Sequence, residues 1–146
     1  MSKLKYIIIS LTIIAILAAI GVEYAITKKF TDTAKEQPLY AVRALDLIKE
    51  FQKNDGIANI KYAEKIISVT GVVTETEAAG TMVNVKLGDT VSGSYTIFAF
   101  QQKNLTEARN IKVGDTVAIK GSCSAGVYSE ILETEFITFK RCTLNK

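Results

Sequence analysis

Lys65-Ile66-Ile67-Ser68-Val69-Thr70-Gly71-Val72-Val73-Thr74 is the stretch whose reading decides the fold. In an extended chain Ile67, Val69 and Val73 point one way and Ser68, Thr70 and Thr74 the other. That is the period-two pattern of a strand with one buried face. Gly71 interrupts it, and a glycine inside a strand marks a bulge or a bend, because no Cβ resists one. The expectation is a first strand from about Lys65 to Glu77, bent at Gly71 so that it serves two halves of one structure.

The residues that follow repeat the strand signal between turns. Ala78-Ala79-Gly80 turns, and Thr81 to Leu87 alternates, with Val83, Val85 and Leu87 inward and Met82, Asn84 and Lys86 outward. Gly88-Asp89 and Ser92-Gly93-Ser94 carry turn chemistry. Tyr95 to Phe100 is a third strand that is apolar on both faces, Tyr95, Ile97 and Ala99 against Phe98 and Phe100, so its register stays open. Asn104 to Glu107 has the spacing of a capping box for a short helix near Leu105 to Arg109. A fourth strand, Thr116 to Cys123, places Val117 and Ile119 inward, and Ser124-Ala125-Gly126 is expected to turn the chain back. The last strand, from about Tyr128 to Leu144, changes parity between Phe139 and Cys142, which requires a bulge near Lys140-Arg141. Lys86 to Val91 and Lys112 to Val117 share a Lys-x-Gly-Asp-Thr-Val pattern, read as one Gly-Asp turn used twice. The fold class is therefore mainly β: a five-stranded OB-like barrel over residues 65–146.

Upstream, residues 38–64 read as a helical cover. Pro38 suits a first helical turn. Ala41, Ala44, Leu45, Ile48 and Phe51 share a face at helical spacing, and Asn54-Asp55-Gly56 breaks that helix and caps another from Ile57 to about Tyr62. Residues 30–37 form a polar stalk, and residues 1–29 an N-terminal membrane anchor. Tyr6 to Val22 is uncharged, and the apolar run resumes past Glu23 to Ile26, about 21 residues or roughly 31 Å of helix. One transmembrane helix over residues 6–26 is the expectation, with secretion after signal cleavage as the alternative. The slight lysine excess before the run leaves the N-terminus in the cytoplasm and the remainder outside, a single-pass protein of the cell membrane. Ala15 and Ala19, and Gly21 and Ala25, could form a helix-pairing face.

Of 18 basic and 15 acidic residues, four lysines and one glutamate lie in the first 30, so the charges beyond cancel. The net charge of +3 belongs to the anchor region, and bulk electrostatics argue against a phosphate-backbone partner. There is no histidine. Histidine-based triads and zinc sites are excluded, and two cysteines cannot make a four-thiolate site. No metal, cofactor or catalytic residue is assigned. The pairs Glu75 and Glu77, and Glu133 and Glu135, read as solvated strand faces.

A family resemblance runs through these motifs. Ala44-Leu45 with Phe51-Gln52-Lys53-Asn54 starts it, then Ala58-Asn59-x-Lys61-Tyr62 and the stretch Lys65 to Val73. Gly114-Asp115-x-Val117-x-Ile119-Lys120-Gly121-x-Cys123 and Cys142-x-Leu144 complete it. Together they resemble a bacterial family of OB-fold proteins called tRNA-anticodon-binding-like (tRNA_anti-like), whose members often carry an N-terminal membrane anchor. The resemblance covers Ala44 to Leu144 and implies a binding fold without implying tRNA as its ligand. It also places Cys123 and Cys142 at recurring positions, where a disulfide and a pair of buried thiols both remain open.

An OB barrel binds across its second and third strands. That surface would carry Asn84, Lys86, Tyr95 and Phe98, with Lys103 nearby. The expected function is a non-enzymatic, extracytoplasmic binding module for an envelope protein or polymer. Single-stranded nucleic acid stacked on the aromatic rings is the alternative.

Overall fold

The computed structural model describes residues 2–26 and 32–145, and within the first helix the side chains of residues 5–20. The chain divides into two units, Met1–Thr31 and Asp32–Lys146. The first holds α1, Ser2–Ile26. Its ten large apolar side chains between Tyr6 and Ile20 are each more than half exposed. The Ser10 and Thr12 hydroxyls donate to carbonyls one turn back, at 2.9 and 2.6 Å. Among the described residues no helix is long and apolar enough to cross a membrane.

The second unit is mainly β, with six strands. The strands are β1 (Tyr40–Arg43), β2 (Ile66–Ala79), β3 (Met82–Gly88), β4 (Tyr95–Phe100), β5 (Thr116–Ser129) and β6 (Thr134–Leu144). The helices are α2 (Ala44–Lys53), α3 (Asp55–Tyr62) and α4 (Leu105–Arg109). The sheet order is β1-β2-β3-β4-β6-β5, and β2 also pairs with β5, so five of the strands form a closed cycle of pairings. β4 and β6 run parallel, as do β1 and β2; the remaining pairs are antiparallel.

The long first strand of the cycle does serve two partners. Residues 66–72 of β2 pair with β5, and residues 73–79 with β3. The bulge sits between Val73 and Glu75 rather than at Gly71. Gly71 is needed for a different reason: a Cβ there would lie 2.9 Å from the Cβ of Ala44 and 3.3 Å from Leu87. It lets the start of α2 close over the sheet.

The cover differs from expectation at its start. Pro38 does not open a helix; Tyr40–Arg43 is a strand laid parallel on Ile67–Thr70. Tyr40 and Val42 turn toward the core and Ala41 and Arg43 outward, a two-residue period that the helical reading missed. Arg43 is extended (φ −85°, ψ 146°) and its guanidinium grips Asp46 at 2.7 Å, so the helix begins at Ala44. Leu47 is buried in place of Leu45, which is exposed. Asn54 does divide the helices, its side chain accepting from the Ile57 amide at 2.9 Å.

The section read as a stalk is not free along its length. Thr33 is buried, and the buried Lys120 ammonium donates to the carbonyls of Ala34 (3.1 Å) and Glu36 (2.7 Å). Residue 31 and those just before it lie outside the described residues.

Hydrophobic side chains fill the interior. Ile67, Val69 and Val73 meet Val83, Val85 and Leu87, and Ile119, Ile137 and Phe139 close the far side. The parity of β4 is settled by this core: Phe98 and Phe100 point in, and Tyr95, Ile97 and Ala99 are half-buried. The expected bulge at Lys140-Arg141 is present. Lys120 pairs with Thr143 but Ser122 with Lys140, and Arg141 takes φ 55°. The reversal placed at Ser124-Gly126 occurs instead after Ser129; β5 continues through Gly126, with only a register shift against β6 between Cys123 and Ala125. A capping box at Asn104 does not form; that side chain makes no cap bond to α4.

Candidate functional site

The antiparallel ladder of β2 and β3 places Glu75 opposite Lys86 and Glu77 opposite Asn84. The next ladder places Asn84 opposite Ala99, Lys86 opposite Ile97 and Gly88 opposite Tyr95. Alternation sends Val83, Val85 and Leu87 into the core and leaves Asn84 and Lys86 on the outer face. Three of the expected site residues, Asn84, Lys86 and Tyr95, therefore share one surface.

Lys86 is the centre of that surface. Its ammonium lies 3.0 Å from Glu75 Oε2, 3.6 Å from Glu77 Oε1 and 5.2 Å from the centre of the Tyr95 ring. The Glu75 hydrogen bond, opposed by burial and aided by Glu77 and Tyr95, raises the Lys86 pKa above its usual value. Lys86 is thus held charged but already matched by two carboxylates. Tyr95 stacks on Phe136 of β6, ring centres 6.2 Å apart and planes 21° apart. Thr74, Gly88, Asp89 and Ser94 complete a shallow hollow of about 180 Å³ beside these groups.

Two expected members lie elsewhere. Phe98 is fully buried and stacks on Phe139 at 4.6 Å, so it builds the core beneath the face. Lys103, in the 3-10 turn Gln102–Asn104 after β4, is ion-paired with Asp32. Cys123 and Cys142 are free, buried thiols. Burial pushes the Cys123 thiol up to about 12, with Glu64 adding to it. Burial likewise raises Cys142, which lies against Gly121; a Cβ there would meet its sulfur at 2.6 Å.

Sequence reading missed two features. The side-chain amide of Asn59 spans the backbone of Gly126, accepting from its N–H and donating to its C=O, both at 2.9 Å. Glu135, read as solvated, is 2% exposed. Its burial follows from the inward parity of Ile137 and Phe139, which a count back along β6 extends to it. Among the described residues, no group of three His, Cys, Asp or Glu is placed to hold a metal ion.

The tRNA_anti-like family model matches residues 1–132, so the chain belongs to that family, an OB-like binding domain rather than a known enzyme class. Among curated proteins none matches. Of solved structures, a candidate nucleic acid-binding lipoprotein from Klebsiella pneumoniae is similar at TM-score 0.57 and 18% identity, over 72% of this chain and 91% of that one. The OBody AM3L09 bound to hen egg-white lysozyme gives TM-score 0.44 and 17% identity, over 57% and 84%. An aspartyl tRNA synthetase from Entamoeba histolytica gives 0.43 and 14%, over 57% of this chain and 19% of that one. Only the first bears on the fold, and at that identity it speaks of fold alone.

Proposed function

We propose that this tRNA_anti-like domain is a non-enzymatic binding module, an OB barrel held at the membrane by its N-terminal helix with the domain outside the cytoplasm. It takes an envelope protein or polymer on the β3–β4 face. The observation that carries the choice of ligand is the locking of Lys86 between Glu75 and Glu77 beside the Tyr95–Phe136 stack. A face built to hold a phosphate backbone needs free cations. Here the central cation is neutralised, while the aromatic pair remains to meet apolar or hydrogen-bonding groups.

Support for the anchor comes from α1. A helix apolar on every side, with its two hydroxyls bonded to its own carbonyls, suits lipid better than water. The sequence carries the run past the described side chains to Val22 and Ile26. The family model begins at residue 1 and so includes it. The native thiols are buried and useless as topology reporters, so Val91→Cys, at a site 94% exposed, is the reporter to use. An impermeant maleimide should label it on intact cells; labelling only after lysis would reverse the orientation.

Single-stranded nucleic acid is the second reading, favoured by the stacked rings at the face. The OB-type neighbour from Klebsiella is consistent with it as fold only. A photo-crosslinking residue in place of Asn84 separates the two. Adducts sensitive to protease and resistant to nuclease support the protein partner. Nuclease-sensitive adducts would transfer the proposal to nucleic acid.

A further inference from the structure

Away from the β3–β4 face, the junction of α2 and α3 and the β5–β6 hairpin enclose an open depression of about 470 Å³. Gln52, Lys53, Asp55, Tyr128 and Glu135 line it, with Phe51 at its floor. The β5–β6 ladder sets Tyr128 opposite Glu135. Asp55, the first residue of α3, stands exposed at the rim.

Glu135 is the anomaly of this site. It is 2% exposed, yet its Oε1 has no hydrogen-bond partner, while its backbone N–H donates to Ser94 Oγ at 3.0 Å. Ser94 Oγ in turn accepts from Gln52 at 3.0 Å, so the surrounding polar groups are committed to one another and not to the carboxylate. Lys53 lines the same depression and forms no ion pair with either acid among the described residues. Burial, and then the charge of Asp55, raise the Glu135 pKa. A buried carboxyl oxygen without a partner is costly in itself. A group that brings N–H donors and positive charge removes that cost.

We propose that this depression receives an alkylammonium or guanidinium group, held by the carboxylates of Glu135 and Asp55 with the Tyr128 ring beside it. A guanidinium forks across a carboxylate with two parallel hydrogen bonds, which would occupy the unpartnered Oε1. The half-exposed Tyr128 offers a ring face to the same cation. A dehydrated metal ion fits less well, since no third acidic, histidine or cysteine ligand joins these two among the described residues. The proposal stands on its own residues and does not depend on the ligand of the β3–β4 face.

The test is an NMR titration of the full chain in detergent micelles with arginine amide, spermidine and, as the neutral isostere, citrulline amide. Arginine amide or spermidine should shift the Asp55, Tyr128 and Glu135 amides saturably, with half-saturation at about 1–10 mM. Citrulline amide should be weaker by about tenfold or more. Glu135→Gln keeps the shape, should leave the fold intact, and should abolish the response. Stronger binding of arginine amide than of spermidine points to a protein side chain as the source; the reverse points to a free polyamine. The proposal is overturned by the absence of saturation at about 50 mM, by citrulline amide matching arginine amide, or by undiminished binding in Glu135→Gln. Any of these would leave Glu135 a buried acid of the core and no part of a binding site.

Discussion

Replacing Gly126 by alanine tests the packing of the cover onto the sheet. Gly126 is buried in β5 with ordinary extended geometry, since its φ is not among the positive ones. At an unobstructed extended site, Gly→Ala would stabilise by about 0.4–1 kcal/mol by restricting the unfolded chain. Here the new Cβ would lie 2.2 Å from Phe51 Cδ1 and 2.3 Å from Cε1. The Phe51 ring cannot swing aside freely. It is 1% exposed and stacks on Tyr62 at 6.1 Å, and Tyr62 is wedged edge-on against Tyr40. The strand cannot retreat either without breaking both Asn59 bonds to Gly126. Overpacking costs about 1–3 kcal/mol, and each strained hydrogen bond about 1 kcal/mol. The expected loss is about 2–4 kcal/mol, or a fall in Tm of roughly 8–16 °C at about 4 °C per kcal/mol. Urea unfolding of residues 32–146 followed by far-UV circular dichroism reads it, with an unchanged m-value. The penalty should shrink by about 1 kcal/mol or more in a Phe51→Leu background, where the ring is gone. An alanine variant as stable as the native protein, or an identical penalty in both backgrounds, would refute the placement of Phe51 over Gly126.

Asn59→Ala should cost about 2–3 kcal/mol in the same assay, because it strands a buried N–H and C=O together; a loss below about 0.5 kcal/mol would show that water replaces the amide. The double variant Glu75→Gln/Glu77→Gln frees Lys86, so salt-sensitive retention of single-stranded oligonucleotide should appear at low ionic strength where the native domain shows none. Equal retention by both would mean that the carboxylates do not set ligand choice. The thiols give a pH prediction. Cys123 is neutral when folded up to about 12 but ionises near 9.0 when unfolded, so the unfolded chain binds fewer protons between those values. Stability should therefore fall as pH rises through that window, more steeply than in Cys123→Ala. Alkylation of both cysteines at pH 8 should track global unfolding; fast labelling of the native protein would contradict their burial.

The hairpin face was legible in principle. With the turn at Gly80-Thr81, residues 75 and 86 stand opposite, so the Glu75–Lys86 pair follows from counting outward from the turn. Treating the glutamates and the lysine as separate features hid it. Tyr40–Arg43 was harder, because four residues hold both a helical and a strand pattern. Only the presence of Ile67–Thr70 alongside, offering a parallel ladder, decides between them.

By itself the sequence determined the strands of β2, β3 and β4, the bulge at Lys140-Arg141 and the apolar helix at the start, because each is a local matter of side-chain period and chain stiffness. Tertiary structure alone decided which face of β4 is inside, that β5 runs on through Gly126, and that Tyr40–Arg43 is a strand rather than a helical turn. Those outcomes depend on what other parts of the chain bring to the same place, which the spacing of residues within one segment does not encode.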